Sequence, residues 1–212
     1  MLGVMFAMHS DNKGLVLPPK IAPNKIVITP LMFEKEKKVL EKAKEIFKSL
    51  SKYDPLLDER LEVTPGYKFN EWELKGIPIR IEIGPRDLKK KEVILVRRDN
   101  GKKTLVKIKN IKKQIEKELK EMQEVLFKKA QKLLYDNLTE SDNLKDTLKK
   151  IKEKKIVLVP LKNSIEVEDI LKEKTGGAKT LNRPIKQPSI KNKKCIISKE
   201  QADYWVYVGR TY

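Results

Sequence analysis

Residues 77–83, IPIRIEI, alternate strictly. In an extended chain Ile77, Ile79, Ile81 and Ile83 fall on one side, and Arg80 and Glu82 on the other. A helix, turning about 100° per residue, would scatter the four isoleucines around its axis. The run is therefore a strand, and its neighbours follow from it. EVILVRR (92–98) is a second strand, Asn100-Gly101 a hairpin turn, and KTLVKI (103–108) the partner strand. Upstream, IVITPL (26–31) is a short unbroken apolar run, the pattern of a strand buried on both faces. Residues 33–52 place Val39, Leu40, Ala43, Ile46, Phe47 and Leu50 on one helical face. Arg60–Val63 reads as a strand, Pro65-Gly66 as a turn, and Phe69–Lys75 as a short helix closed by Gly76. Residues 21–109 are thus predicted to form one α/β domain.

Residues 110–141 connect this domain to the next, chiefly as a long helix over 110–138. Ile111, Ile115, Leu119, Met122, Leu126 and Leu133 recur along it at helical spacing. Residues 142–212 read as a second, smaller α/β unit. It has a helix near 142–153, the strand IVLVP (156–160) and a helix over 165–174 ending at Gly176-Gly177. Short strands are expected near 178–183, at CIIS (195–198) and at YWVYVGR, with a proline-containing polar loop over 182–194. Residues 1–20 read as an apolar strand, Leu2 to Met8, then a polar turn and GLVLPPK. A lone strand needs neighbours for its backbone groups, so this segment is expected to be the end of a larger sheet.

The formal net charge is +18, from 48 basic and 30 acidic residues. Such an excess attracts polyanions, although lysine spread over helix faces needs no partner to explain it. Arginine is more selective evidence. There are only seven, and four of them, Arg80, Arg86, Arg97 and Arg98, lie between positions 80 and 98. Arginine's planar fork suits bidentate contact with phosphate and guanine. A single cysteine, Cys195, excludes an internal disulfide and points to a cytosolic chain. No apolar run approaches the ~18 residues that a membrane-spanning helix needs.

No Ser/His/Asp set, phosphate-cradling glycine loop or metal constellation is present in the sequence. His9 with Asp11 resembles an acid/base pair, but a structural role is the better reading of so short a pattern. The informative region is 65–103. It mixes Tyr67, Phe69 and Trp72 with Glu71, Glu73, Arg80, Glu82, Arg86 and Asp87. Carboxylates among arginines suit the edges of bases, which single-stranded RNA exposes. On composition alone, a salt-bridge net around a half-buried tryptophan is an equal alternative.

Three blocks resemble one family. HSDNKGLVLPPKIAPNKIVITP (9–30) is similar to the end of the catalytic core of archaeal/eukaryotic-type prolyl-tRNA synthetases. PGYKFNEWELKGIPIRIEIGPRD (65–87) resembles that family's anticodon-binding segment, and DYWVYVGRTY (203–212) its terminal strand. The resemblance implies a class IIa anticodon-binding α/β domain, with a mixed sheet and flanking helices, over 21–109. A small C-terminal α/β domain would follow over 142–212, and residues 1–20 would be the remnant of the catalytic domain. It implies a cytoplasmic, homodimeric parent enzyme that uses ATP and Mg to join proline to tRNA(Pro). Glu73, Arg80, Arg86, Asp87 and Lys102 match the positions that approach the two anticodon guanines. Lys68, Arg97 and Arg98 are possible additional RNA contacts.

Two departures from the family pattern matter. The motif 3 arginine that grips ATP would lie just upstream of Leu2, so the chain alone is expected to bind tRNA without activating proline. Many relatives hold zinc with four cysteines in the C-terminal domain. Here Lys162, Asn163 and Ser164 follow the VPL strand, and the later pair is Cys195 and Ser198. No zinc is expected, with Trp205, Tyr207 and the Ile156–Val159 strand filling the space. The terminal Tyr212 is expected to be ordered only through the resemblance. The alternative reading is a stand-alone RNA-binding or regulatory module; an intact GLVLPP at the start argues for the synthetase.

Overall fold

The computed structural model describes residues 2–210, so Tyr212 lies outside the described residues. The chain divides into two units, Met1–Ala130 and Gln131–Tyr212.

The first unit opens on a helix, α1 (Leu2–Met8), and not on the strand read from its apolar run. No strand of the described residues pairs with this segment, and a helix closes its backbone hydrogen bonds internally. A small hairpin follows, β1 (Ser10–Asp11) and β2 (Gly14–Leu15). Next come β3 (Ile26–Pro30), α2 (Lys37–Ser49), a 3₁₀ turn at Ser51–Tyr53 and β4 (Leu56–Leu57). Then come α3 (Pro65–Lys75), β5 (Ile79–Ile83), α4 (Pro85–Lys90), β6 (Glu92–Arg97) and β7 (Lys103–Lys107). A 3₁₀ turn over Ile108–Asn110 leads into α5 (Ile111–Asn137).

The main sheet has the order β4-β3-β5-β6-β7. β3 is parallel to both β4 and β5, while β5, β6 and β7 run antiparallel in turn. This is the mixed sheet with flanking helices. The β6–β7 turn is closed where the Gly101 N–H donates to the Arg97 carbonyl at 3.0 Å, with Gly101 at φ 68°, left-handed backbone that glycine adopts freely.

The two faces of the sheet differ in chemistry. Ile26, Ile28, Ile79, Ile81, Ile83, Val93 and Leu95 form one apolar core with Val39, Ala43 and Ile46 of α2 and Ile111 and Ile115 of α5. Each fully buried side chain of this kind contributes about 1.5–3 kcal/mol. Val27, Thr29, Arg80, Glu82 and Val96 alternate with those residues and occupy the opposite face. They too are buried, at 0–7% exposure, because α3 covers them. The strand alternation is as read from the sequence, but its polar side is a buried polar layer.

Three local readings change. Arg60–Val63 is not a strand; the edge strand is Leu56–Leu57. The Asp58 and Arg60 side chains fold back on one another at 2.8–2.9 Å instead. Pro65-Gly66 is not a turn but the first turn of α3. Thr64 caps it by accepting from the Tyr67 N–H at 3.3 Å, and a proline at the first helical position has its φ preset. α4, only six residues long, lies between two strands in a stretch to which the sequence pattern assigns no element.

The second unit has a four-stranded sheet, ordered with β8 (Leu138–Glu140), β9 (Ile156–Leu161), β10 (Ala178–Thr180) and β11 (Tyr204–Arg210) as β10-β11-β9-β8. Helices α6 (Leu144–Lys152) and α7 (Ile165–Lys174) pack on it. Ile151, Val157, Val159, Val167, Leu171, Tyr204, Val206 and Val208 make its core. The CIIS segment is a tight turn and not a strand: the Cys195 carbonyl accepts from Lys199 and the Cys195 N–H donates to Glu200. Trp205 points away from that core. Its Nε1–H donates to the Ser189 carbonyl at 3.3 Å, and its backbone N–H to Gln187 Oε1 at 2.9 Å, pinning the 182–194 loop.

Candidate nucleic-acid interface

α3 and β5 place the first group of candidate residues. α3 ends at Gly76, whose φ of 77° forms a left-handed C-cap. A side chain there would meet the Leu15 backbone at 2.8 Å, and one at Gly14 the Leu74 backbone at 2.6 Å. The β1–β2 hairpin therefore seats on the end of α3 at two points where only glycine fits. Ile77 and Pro78 then carry the chain into β5.

Arg80 lies under α3 with its side chain 8% exposed. Its Nε donates to Glu82 Oε1 at 3.0 Å and its Nη1 to Glu73 Oε1 at 3.3 Å. The guanidinium stacks on the Phe69 ring, 4.2 Å from the centroid. Lys13 Nζ approaches the other Glu73 oxygen at 3.7 Å. Glu73, with 24% of its side chain exposed, is thus an accessible carboxylate held between two cations. Glu82, on the same strand face, fixes the back of Arg80.

Arg86 and Asp87 sit on α4, directly after β5. Asp87 Oδ2 accepts from the Gly84 N–H at 2.9 Å, which fixes the carboxylate and leaves Oδ1 without a hydrogen bond among the described residues. Arg86 is exposed and makes no ion pair among the described residues. A cleft of about 320 Å³ lies at the carboxyl end of β3, lined by Pro30, Phe33, Arg60, Val63 and Lys68 among others. Open α/β sheets bind ligands outside the carboxyl ends of their strands.

Lys102 is exposed in the β6–β7 turn. The antiparallel register, Ile79 opposite Arg97 and Glu82 opposite Ile94, puts that turn at the start of β5 and α4 at its end. Four residue steps of strand, about 13 Å, therefore separate the two ends. The structure brings Glu73 to Arg80 and keeps Arg86 beside Asp87, but it sets Lys102 apart from the latter pair. The five residues therefore fall in two groups, Glu73, Arg80 and Lys102 towards the start of β5 and Arg86 and Asp87 at its end.

Lys68, Arg97 and Arg98, like Arg80, are each buried and engaged inside the unit. Lys68, 3% exposed, donates to the carbonyls of Asp58, at 3.3 Å, and of Arg60. Arg97 pairs with Asp99 at 2.8 Å and Glu118 at 2.9 Å. Arg98 forms a bidentate pair with Asp11 at 2.7 and 2.8 Å and donates to the Glu73 carbonyl at 2.7 Å. A salt-bridge net around Trp72, one of the two alternatives in the sequence, is present. Asp58 centres the net. Burial pushes its carboxyl up, but bonds from Arg60 and Trp72 and the charge of Lys68 outweigh this and hold it well below the usual carboxylate range.

His9 and Asp11 do not act together. Asp11 is committed to Arg98, whose hydrogen bonds hold its carboxyl down at about 2. Burial lowers the His9 pKa, helped by the charge of Lys129, and its Nδ1 has no partner among the described residues.

In the second unit the residues do not fit zinc. Cys195 is the one thiol, and no group of three or more metal-ligating side chains occurs among the described residues. The two loops that would share a metal are joined otherwise. Cys195 Sγ accepts from the Ile197 and Ser198 N–H groups at 3.4 Å each. Asp203 accepts from the Asn163 N–H at 2.7 Å, and Lys162 pairs with Glu200. These contacts, and not Trp205, close the space. No helix among the described residues is long and apolar enough to cross a membrane.

Comparison with known proteins bears on the family. The family model of the anticodon binding domain matches residues 25–118, and that of the prolyl-tRNA synthetase C-terminal domain matches residues 144–212. Proline–tRNA ligase 2 of Bacillus cereus (strain ATCC 10987 / NRS 248) is 37% identical over 214 residues, covering 100% of this chain and 44% of the relative. The proline–tRNA ligase of Methanococcus vannielii is 41% identical over 192 residues, covering 84% of this chain and 41% of its own. That of Natranaerobius thermophilus is 40% identical over 157 residues, covering 73% and 32%. The chain spans less than half the length of these relatives.

Proposed function

Because the chain belongs to the prolyl-tRNA synthetase family, we propose that its first unit binds the anticodon of tRNA(Pro) and reads two guanines through Glu73, Arg80, Arg86, Asp87 and Lys102. The observation that carries this reading is the Glu73 carboxylate, held at 3.3 Å by Arg80 with its outer edge exposed. Guanine offers N1–H and N2–H₂ side by side, and an ionised carboxylate accepts both. Arg86 supplies exposed donors that match guanine O6 and N7. Asp87, fixed by the Gly84 N–H, is a second acceptor. Lys102, at the opposite end of β5 from Arg86 and Asp87, is a cation for a flanking phosphate or base. Arg80, buried among acceptors, acts mainly by orienting Glu73.

On this reading residues 1–20 are the end of a catalytic domain, 21–109 the anticodon-binding domain, 110–141 a connecting helix and 142–212 the C-terminal domain. The whole protein would join proline to tRNA(Pro), with ATP and Mg as its energy source, as a cytoplasmic homodimer. Those expectations come from the family.

The test is binding of the 212-residue chain to a tRNA(Pro) transcript and to the same transcript with both anticodon guanines replaced, at near-physiological salt. A preference of tenfold or more for the guanines supports base reading. Equal, steeply salt-dependent binding of both would mean that the net charge dominates.

A further inference from the structure

The strongest unassigned feature is a basic groove of about 700 Å³ at the far end of α4, lined by Lys42, Leu88, Lys90, Lys91, Lys107, Ile108 and Lys109. Its lysines come from α2, α4, β7 and the 3₁₀ turn after β7. A smaller cleft of about 220 Å³ shares Lys42, Ile108 and Lys109 and adds Lys112 of α5. Two nearby carboxylates neutralise part of this charge: Glu45 pairs with Lys42, and Glu92 with Lys107 at 2.9 Å. Lys90, Lys91, Lys109 and Lys112 make no ion pair among the described residues.

The groove is built, and its lysines are not a loose surface coat. Leu88 and Ile108 pack against the apolar core and fix its floor. Lys91 caps α4 in left-handed backbone, φ 55°, a position that glycine or asparagine would occupy with less strain. Its carbonyl accepts from the Ile108 N–H at 3.0 Å, tying α4 to the end of β7.

Position selects the occupant. Arg86 and Lys90 are four residues apart on α4, and side chains at that spacing are neighbours on one helix face. Positive charge therefore runs from the proposed guanine site into the groove. An apolar floor ringed by ammonium groups suits a chain of phosphates with sugars between them. It lacks the aromatic stacking and paired acceptors that reading a base requires. We infer that this groove is a phosphate track for the RNA strand that leaves the nucleotides read at Arg86 and Asp87.

The inference rests on the proposed anticodon reading, and one experiment separates them. In the 212-residue chain, Lys90→Gln, Lys91→Asn and Lys109→Gln are combined. A control combines Lys145→Gln, Lys149→Gln and Lys152→Gln on α6, an equal loss of charge. Both bind tRNA(Pro) and the guanine-replaced transcript over a salt series, with unchanged thermal unfolding as the check on folding; Lys109→Gln alone serves if the triple fails it. The groove variant is expected to weaken both RNAs about tenfold and flatten the salt dependence by two to three phosphate contacts, at ~0.7–0.9 in log–log slope per contact. The control should change affinity less than twofold. Guanine preference should survive in the groove variant. Equal losses in groove variant and control would overturn the track, as would tRNA binding left intact while binding to phosphatidylserine vesicles is lost. If the groove variant weakens RNA binding but the unaltered chain shows no guanine preference, the anticodon reading fails, and the groove is a phosphate site without the track's link to read nucleotides, which overturns the inference as stated.

Discussion

Asp11 and Arg98 stand 87 positions apart and meet in a bidentate ion pair, at 2.7 and 2.8 Å. Arg98 is nearly buried, and its Nε also holds the Glu73 carbonyl at 2.7 Å. The pair therefore couples the β1–β2 hairpin to the end of α3, where the proposed guanine acceptor sits. Asp11→Asn should destabilise the chain by about 1–2 kcal/mol. That is less than for a fully buried pair, because solvent reaches the Asp11 side of the contact. The pH dependence has a definite sign. The Arg98 hydrogen bonds hold the folded Asp11 pKa at about 2, below its ordinary 3.8. Its stabilisation is complete above about pH 4 and is lost as pH falls towards 2. Thermal melts of the native chain and Asp11→Asn should differ at pH 6 and converge towards pH 2; a constant gap would mean that the carboxylate charge is not what holds Arg98.

Glu73→Gln is the sharper test of base reading. The substitution keeps size and one acceptor but replaces the other with an NH₂ donor facing guanine N–H. Discrimination between the guanine-bearing and guanine-replaced transcripts should fall by about 1–3 kcal/mol, the range for a bidentate base contact. Arg80→Ala would blur the result. It strands Glu82, 6% exposed, without its partner, and such a loss costs about 3–5 kcal/mol of stability. Competition binding between the two transcripts measures the ratio directly. A uniform weakening of both would place Glu73 outside the reading set.

Lys68 should behave as a core residue. It is 3% exposed, between two backbone carbonyls and 3.6 Å from Asp58. Lys68→Met should destabilise the chain by about 1–3 kcal/mol, because two buried carbonyls lose their donor while Asp58 keeps Arg60 as its countercharge. Guanine preference in the folded fraction should not change. A lower urea midpoint with intact selectivity is the expected pair of results; loss of selectivity without loss of stability would return Lys68 to the interface.

The contrast between Lys68 and Glu73 shows what the sequence could carry. Alternation in IPIRIEI fixes a strand and puts Arg80 and Glu82 on its second face. It cannot say that α3 lies over that face, because α3 is short and only weakly amphipathic. The arginine cluster was legible as a cluster, but its division was not. Arg97 and Arg98 turn inward because Asp99, Glu118 and Asp11 happen to fold next to them, and two of these partners are distant in sequence. Arg86 stays free because α4 carries it outward. The apolar run Leu2–Met8 has no periodicity that separates strand from helix, so only the absence of a pairing strand among the described residues decides it.

Cys195 gives the last test, in the second unit. Burial raises its thiol pKa, but N–H donors from Ser198, Ile197 and Lys162 outweigh this and shift it down. The sulfur thus gathers donors from both loops that a metal would otherwise join. Cys195→Ala removes the acceptor and leaves several buried N–H groups unpaired, at a cost of about 1–3 kcal/mol. Serine, whose oxygen is smaller but still accepts, should recover part of that loss. A chelator should leave the unfolding midpoint of the unaltered chain where it is, because one thiol cannot hold zinc in the tetrahedral set that structural sites use. Unfolding curves for the native chain, Cys195→Ser and Cys195→Ala, each with and without chelator, give the comparison. A midpoint that falls on chelation would mean that other side chains complete a metal site around Cys195, and the hydrogen-bonded turn would then be only its empty form.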